Sequence, residues 1–195
     1  MPHHARLWPA SQLHLVTIAG NGGSTIFLDN TDRELFLDLL DDVVGRFEWE
    51  LYAWCQLGTH AHLVASADPA QLAAGMQRLK GIYAVQFHRR HHTSGHLFKR
   101  PYDSRPIVTS EHLHRACSYT LRNAPRHGFT QRAEDWEWSS FRTSAGLDAP
   151  PRPHLACEPF DRLLDLAGAD RLSIMRVYAH DSPPRTVVTP VAMSN

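Results

Sequence analysis

The sequence predicts an α+β fold, an antiparallel sheet with helices packed on one face. Three observations carry this. Apolar residues repeat in turn with strand and with helix spacing along residues 13–108. Capping and turn signals separate those stretches. The chain has 195 residues, 43% of them hydrophobic, enough to bury one core of common domain size without disulfides.

Leu13 to Ile18 reads as a strand that ends at the turn Gly20-Asn21-Gly22-Gly23. Thr31-Asp32-Arg33-Glu34 has the form of a capping box, in which Thr31 accepts an N–H and Glu34 reaches back. The helix it opens carries Phe36, Leu39, Leu40, Val43 and Phe47 on one face, with its acids expected in water. Trp49 to Leu57 reads as a second strand, and Gly58-Thr59 turns it into a third that begins at His60. Asp68-Pro69 caps the next helix, with Leu72, Met76, Leu79, Tyr83 and Phe87 on one stripe. The turn His88-Arg89-Arg90-His91-His92 ends it and reads as a solvated basic turn, metal binding being the alternative. Gly95 to Val108, interrupted by Pro101 and Pro106, reads as a loop plus an edge strand. The order strand, helix, strand, strand, helix, strand is ferredoxin-like and leaves one sheet face free for a ligand.

Beyond this core, Ser110 caps a helix running to about Asn123, with Pro125 stopping it. Leu147 to His154 contains three prolines and reads as a linker, followed by short amphipathic helices at Phe160 to Leu166 and Asp170 to Tyr178. Residues 181–195 lack apolar periodicity and are expected to be disordered. The division expected is 1–146 as the main α+β domain, 147–180 as a small helical C-terminal extension, and 181–195 as a tail.

The formal net charge is zero, which argues against a partner held by bulk charge alone. It conceals an asymmetry. Residues 29–50 hold eight acids against two arginines, whereas residues 78–105 hold seven bases (Arg78, Lys80, Arg89, Arg90, Lys99, Arg100 and Arg105) against Asp103. That local excess suits a phosphate-binding surface, or else a solvated helix face. Three scattered cysteines without a Cys-x-x-Cys pair argue against a zinc knuckle and fit a reducing cytoplasm. Met1 to Gln12 lacks the apolar run of a signal peptide, and no stretch is long enough to span a membrane.

Two features concentrate the chemistry. His60 and His62 alternate on one strand, so both rings share a face and can hold one metal ion; the alternative is an ordinary polar pair. On the helix after Ser110, the spacing places Arg115, Tyr119, Arg122, Asn123 and Arg126 on one face. Leu113, Ala116, Cys117, Thr120 and Ala124 lie opposite and pack inward. A tyrosine among three arginines is placed to face a phosphate, or carries its hydroxyl in water.

From His14 to Ala145 the chain resembles the HUH-type single-tyrosine transposases, in particular the REP-associated tyrosine transposases of the IS200-like group. The resemblance rests on His14-Leu15-Val16-Thr17 with Gly20-Asn21, Ile26-Phe27, Asp32-Arg33 and His60-Ala61-His62. It continues through Gly95-His96-Leu97-Phe98, Tyr119 with Asn123, Arg126 and Gly128, and Trp138-Ser139-Ser140-Phe141-Arg142. Departures are Gly58-Thr59 where relatives have Pro-Asn, the small Ala61, Ala19 in place of an arginine, and Asn123-Ala124-Pro125 in place of Asn-Pro. None removes a ligand or the nucleophile.

The resemblance implies a ferredoxin-like fold of the HUH endonuclease type. It implies Tyr119 as nucleophile and His60, His62 and Asn123 as ligands of Mg²⁺ or Mn²⁺. The i, i+4 spacing of Tyr119 and Asn123 lets them address one point. The partner implied is single-stranded or hairpin DNA, bound by Arg78, Lys80, Arg89, Arg90, Lys99, Arg100, Arg115, Arg122 and Arg126. The reaction implied is nicking and joining of single strands near REP-like hairpins through a 5′-phosphotyrosine. A free phenol ionises near ~10, so such a nucleophile needs activation. The alternative is a non-catalytic DNA-binding regulator derived from such an enzyme. A small-molecule hydrolase ranks last, because no carboxylate follows the His pair before Asp68. Both monomeric and homodimeric arrangements, with the tyrosine acting in its own chain or its partner's, fit the resemblance.

Overall fold

Leu13–Ala19 forms β1, one of two inner strands of the sheet; the computed structural model describes residues 12–99, 101–166 and 170–180. After a single 3-10 turn at Asn21–Gly23 come α1 (Asn30–Arg46), β2 (Glu50–Gln56) and β3 (His60–Ser66). Then follow α2 (Pro69–His91) and β4 (Asp103–Pro106). The four strands lie in the order β2-β3-β1-β4, every neighbouring pair antiparallel. This is the ferredoxin-like arrangement. β2 and β3 form the expected hairpin, closed where the Leu57 N–H donates to the His60 carbonyl at 2.8 Å. β4 spans four residues at the sheet edge and ends on Pro106, where a missing N–H leaves no central ladder broken.

Strand alternation divides the sheet into two faces. Val16 and Ile18 pair with Leu63 and Ala61, all fully or almost fully buried, and face the layer of α1 and α2. Within that layer Phe27, Phe36 and Tyr83 meet edge to face, with Phe27 and Phe36 centroids 5.2 Å apart. The Tyr83 hydroxyl donates to the Ile26 carbonyl at 2.5 Å, so this buried phenol is structural. The predicted stripe Leu72, Met76, Leu79, Tyr83 and Phe87 is buried throughout.

Local details differ from the sequence expectation. Asp29, not Thr31, caps α1: its extended backbone (φ −148°) lets its carboxylate accept the Asp32 N–H at 2.9 Å, while Thr31 lies within the first turn. Nor do all the acids of α1 stand in water. Asp32 is completely buried, accepts the Leu28 N–H at 2.9 Å, and pairs with Arg90 and His91 of α2. His91 is therefore drawn inward rather than solvated, because a buried carboxylate needs cationic and hydrogen-bonding partners. His92, in the left-handed conformation (φ 51°), ends α2.

On the other sheet face lies α3 (Ser110–Leu121), over β2 and β3. Thr109 rather than Ser110 caps it, accepting the His112 N–H at 3.0 Å. The helix stops at Leu121, sooner than expected, and a short α4 (Asn123–Arg126) follows with Pro125 inside it. After α5 (Phe141–Ser144), the proline-rich stretch expected to be a linker runs along α1: Arg152 pairs with Glu34 and Asp38, and the His154 N–H donates to Asp41 at 2.7 Å. The expected short helices appear as α6 (Glu158–Leu163) and α7 (Arg171–His180). α7 supports α3 directly. The Ser118 hydroxyl donates to the Tyr178 carbonyl at 3.1 Å, and the Tyr178 hydroxyl to the His114 carbonyl at 2.6 Å. The expected tail at 181–195, most of the N-terminal stretch and Arg100 lie outside the described residues. Among the described residues no helix is long and apolar enough to cross a membrane.

Candidate active site

The register of β3 against β1 sets the histidines. His62 pairs with Thr17 and His60 with Ala19, so both rings project from the sheet face that α3 covers. Their centroids are 4.9 Å apart and their planes nearly perpendicular, at 81°. Each ring is held through Nδ1, His62 by the Thr17 hydroxyl at 3.0 Å and His60 by that of Thr59 at 2.9 Å. With a proton on Nδ1 donated to the threonine, Nε2 keeps a lone pair for a ligand. The Nε2 of His62 is buried and has no hydrogen-bond partner. Burial, with His60 and His127 nearby, lowers the pKa of His62 from 6.5 to about 3, so the ring is neutral when it meets a cation. Burial also lowers His60, reinforced by His127 and opposed by Asn123.

Tyr119 approaches from α3. Its half-buried ring lies 5.2 Å from that of His62 at 76°, within the same chain. The Arg126 guanidinium sits 5.2 Å from the centre of the tyrosine ring, where it can stabilise negative charge forming on the phenol. Asn123 is not on an exposed face, as helical spacing predicts, but fully buried, because the break at Arg122 turns the chain before α4. Its Nδ2 donates to the Tyr119 carbonyl at 3.3 Å, and its Oδ1 is buried without a partner.

Leaving a buried polar atom unpaired costs free energy, and two such atoms facing one neighbourhood call for a ligand. The donor set of imidazole nitrogens and an amide oxygen fits a divalent ion such as Mn²⁺ or Mg²⁺. His60, His62 and Asn123 are thus the residues of this site that could hold a metal. A second group, Asp29, Asp32 and His91, also has ligand atoms within 4.8 Å of one another and could hold a metal. There Arg90 already pairs with both carboxylates, so the cluster ties α1 to α2.

The sequence reading missed two participants. Thr17 holds His62, a role visible only in strand register. His127 packs against His60 with ring centroids 5.4 Å apart. Its spacing of four from Asn123 and eight from Tyr119 was a usable helical signal.

Among the described residues, the predicted DNA-binding cations are divided between α2 with the loop after it and α3–α4 on the opposite sheet face. Arg126 stands at the site, and Arg122, partly exposed, is three residues beyond Tyr119. Arg115 is on the same helix, in an exposed pair with Glu111. Arg78 pairs with Asp42 at 2.8 Å, and Arg90 with Asp29 and Asp32, so their charges are spent on α1. Lys80 donates to the Lys99 carbonyl at 3.1 Å and lies over the Phe98 and Tyr102 rings. Arg89 and Lys99 are exposed, while Arg100 falls outside the described residues.

Comparison with known proteins agrees with this architecture. The family model described as "Transposase IS200 like" matches residues 9–122. Among solved structures, a REP-associated tyrosine transposase bound to a REP hairpin is similar with a TM-score of 0.59 at 16% identity, covering 80% of this chain and 90% of that one. A transposase-type protein from Deinococcus radiodurans R1 is similar with a TM-score of 0.43 at 19% identity, covering 63% of this chain and 96% of that one. No curated protein matches the chain.

Proposed function

The chain belongs to the IS200-like transposase family, and from that premise we propose that it is a metal-dependent strand transferase that cuts and rejoins single-stranded DNA beside hairpins. Its transposase-like action on DNA follows from the family. The finer chemistry rests on one observation: the unpartnered Nε2 of His62 and Oδ1 of Asn123 lie in a site shared with the Tyr119 ring. That a solved REP-associated transposase of this fold is bound to a REP hairpin supports hairpin DNA as the partner.

His60, His62 and Asn123 would hold the ion, with Thr17 and Thr59 fixing the two rings. When bound, Mg²⁺ or Mn²⁺ supplies Lewis-acid polarisation of the scissile phosphate. The Tyr119 hydroxyl oxygen attacks phosphorus in line, forming a P–O bond to the phenol as the P–O3′ bond breaks. The electron pair leaves on O3′, which takes up a proton, while the phenol proton passes to solvent. Arg126, over the ring, favours the developing phenolate. The product is a 5′-phosphotyrosine and a free 3′-hydroxyl. Attack by a 3′-hydroxyl on that phosphotyrosine reverses the bond changes and joins strands without ATP. Because Tyr119 lies on its own chain's His62, one chain brings these groups together.

The test is a denaturing gel of protein incubated with a randomised pool of hairpin-flanked single strands and Mn²⁺. A covalent adduct is expected that disappears with EDTA and with Tyr119→Phe. DNA binding without an adduct in either metal would instead make the protein a non-catalytic regulator.

A further inference from the structure

Beyond the cutting site, we propose that Phe129, braced by Trp136, is a stacking platform for an unpaired base of the nucleotide flanking the scissile phosphate. This rests on the single-stranded DNA reading above. Among the large hydrophobic side chains exposed in the described residues, Phe129 is the one aromatic, at 48% exposure. It follows directly from the site: Gly128 (φ 74°) turns the chain after His127, and the Phe129 N–H folds back to the Ala124 carbonyl at 3.0 Å.

The ring is held rather than loose. It lies 5.3 Å from Trp136, centroid to centroid, at 48°. Trp136 is itself pinned, its Nε1 donating to the Gln56 carbonyl at 2.9 Å and its ring stacked on the Arg33 guanidinium at 5.2 Å. Gly58 leads through Thr59 into His60 and passes beside the ring. A Cβ at position 58 would lie 4.0 Å from Phe129 Cζ, so a longer side chain there would cover the ring that glycine leaves bare.

The location selects the occupant. Phe129 follows Arg126 by three residues, so a strand whose phosphate reaches Tyr119 and Arg126 can lay a neighbouring base on the turn that bears Phe129. A rigid ring with a free surface gains by stacking on any base, since every base has a π-face. An anionic strand also suits Arg126, exposed at the same turn.

Binding of a 30-nucleotide oligo(dT), and of an abasic oligomer of equal length, is measured by fluorescence anisotropy in Mn²⁺. Phe129→Ala should weaken oligo(dT) binding on the order of 10-fold and leave abasic binding unchanged. Phe129→Trp should retain the wild-type preference for oligo(dT). If Phe129→Ala lowers the melting temperature so far that it is unfolded at the assay temperature, Phe129→Leu, apolar but ringless, carries the same comparison. Equal oligo(dT) affinity in wild type and ringless variant, or an equal loss on both oligomers, overturns the platform. Wild type that binds neither oligomer overturns the DNA reading itself, and the platform with it.

Discussion

Acidifying the metal-free protein should lower its stability through His62. The ring is 4% exposed, and burial lowers its pKa from 6.5 to about 3. The unfolded chain protonates this imidazole near its ordinary value, whereas the folded chain keeps it neutral down to about pH 3. The unfolded state therefore binds more protons between those values. Stability is unaffected by this group above pH 6.5 and falls as the pH drops from there toward 3. Integrated from pH 8 to pH 5, the loss is about 2 kcal/mol. His60, lowered in the same direction, acts in the same sense. The assay is urea unfolding in EDTA at both pH values, for wild type and His62→Leu. Leucine cannot titrate, so the variant's loss on acidification should be smaller by about 2 kcal/mol. Equal losses would mean that His62 is hydrated or paired in the folded state. That would refute the argument that its Nε2 is buried and waiting for a ligand.

Other substitutions probe the scaffold around the site. Asp32→Ala should cost about 3 kcal/mol in denaturant unfolding, because it leaves His91 and the Leu28 N–H without their acceptor and Arg90 with Asp29 alone. Gly20→Ala should lower the thermal midpoint by an amount worth about 1–3 kcal/mol, since its Cβ would strike the Ser24 carbonyl in the turn bonded to Thr59 and Leu97. Tyr178→Phe removes the donor to the His114 carbonyl and should cost about 1 kcal/mol, with faster amide hydrogen exchange along α3.

Much of this molecule is readable from local pattern. The alternation around His60 and His62 and the stripe Leu72–Met76–Leu79–Tyr83–Phe87 survive unchanged in the structure. Such periodicities hold because one face of each element must leave water whatever its neighbours are. Capping is less legible. Thr31 and Ser110 have suitable side chains, yet Asp29 and Thr109 act, because an N-cap is decided by which residue adopts extended backbone geometry at the helix entrance. Charge is less legible still. Arg90 counts as a surface base in the sequence but is bound to Asp29 and Asp32, which lie 61 and 58 residues away along the chain.

Spacing put two imidazoles on one strand face and a phenol and an amide on one helix, and the resemblance to single-tyrosine transposases joined them into a reacting set. Their assembly belongs to the tertiary structure alone. Packing of α3 on the face opposite α1 and α2 brought the Tyr119 ring to His62, strand register put Thr17 behind that imidazole, and the break at Arg122 buried Asn123. Periodicity records which side of an element turns away from water, whereas contacts between distant elements depend on how those sides are stacked, a choice no single segment encodes.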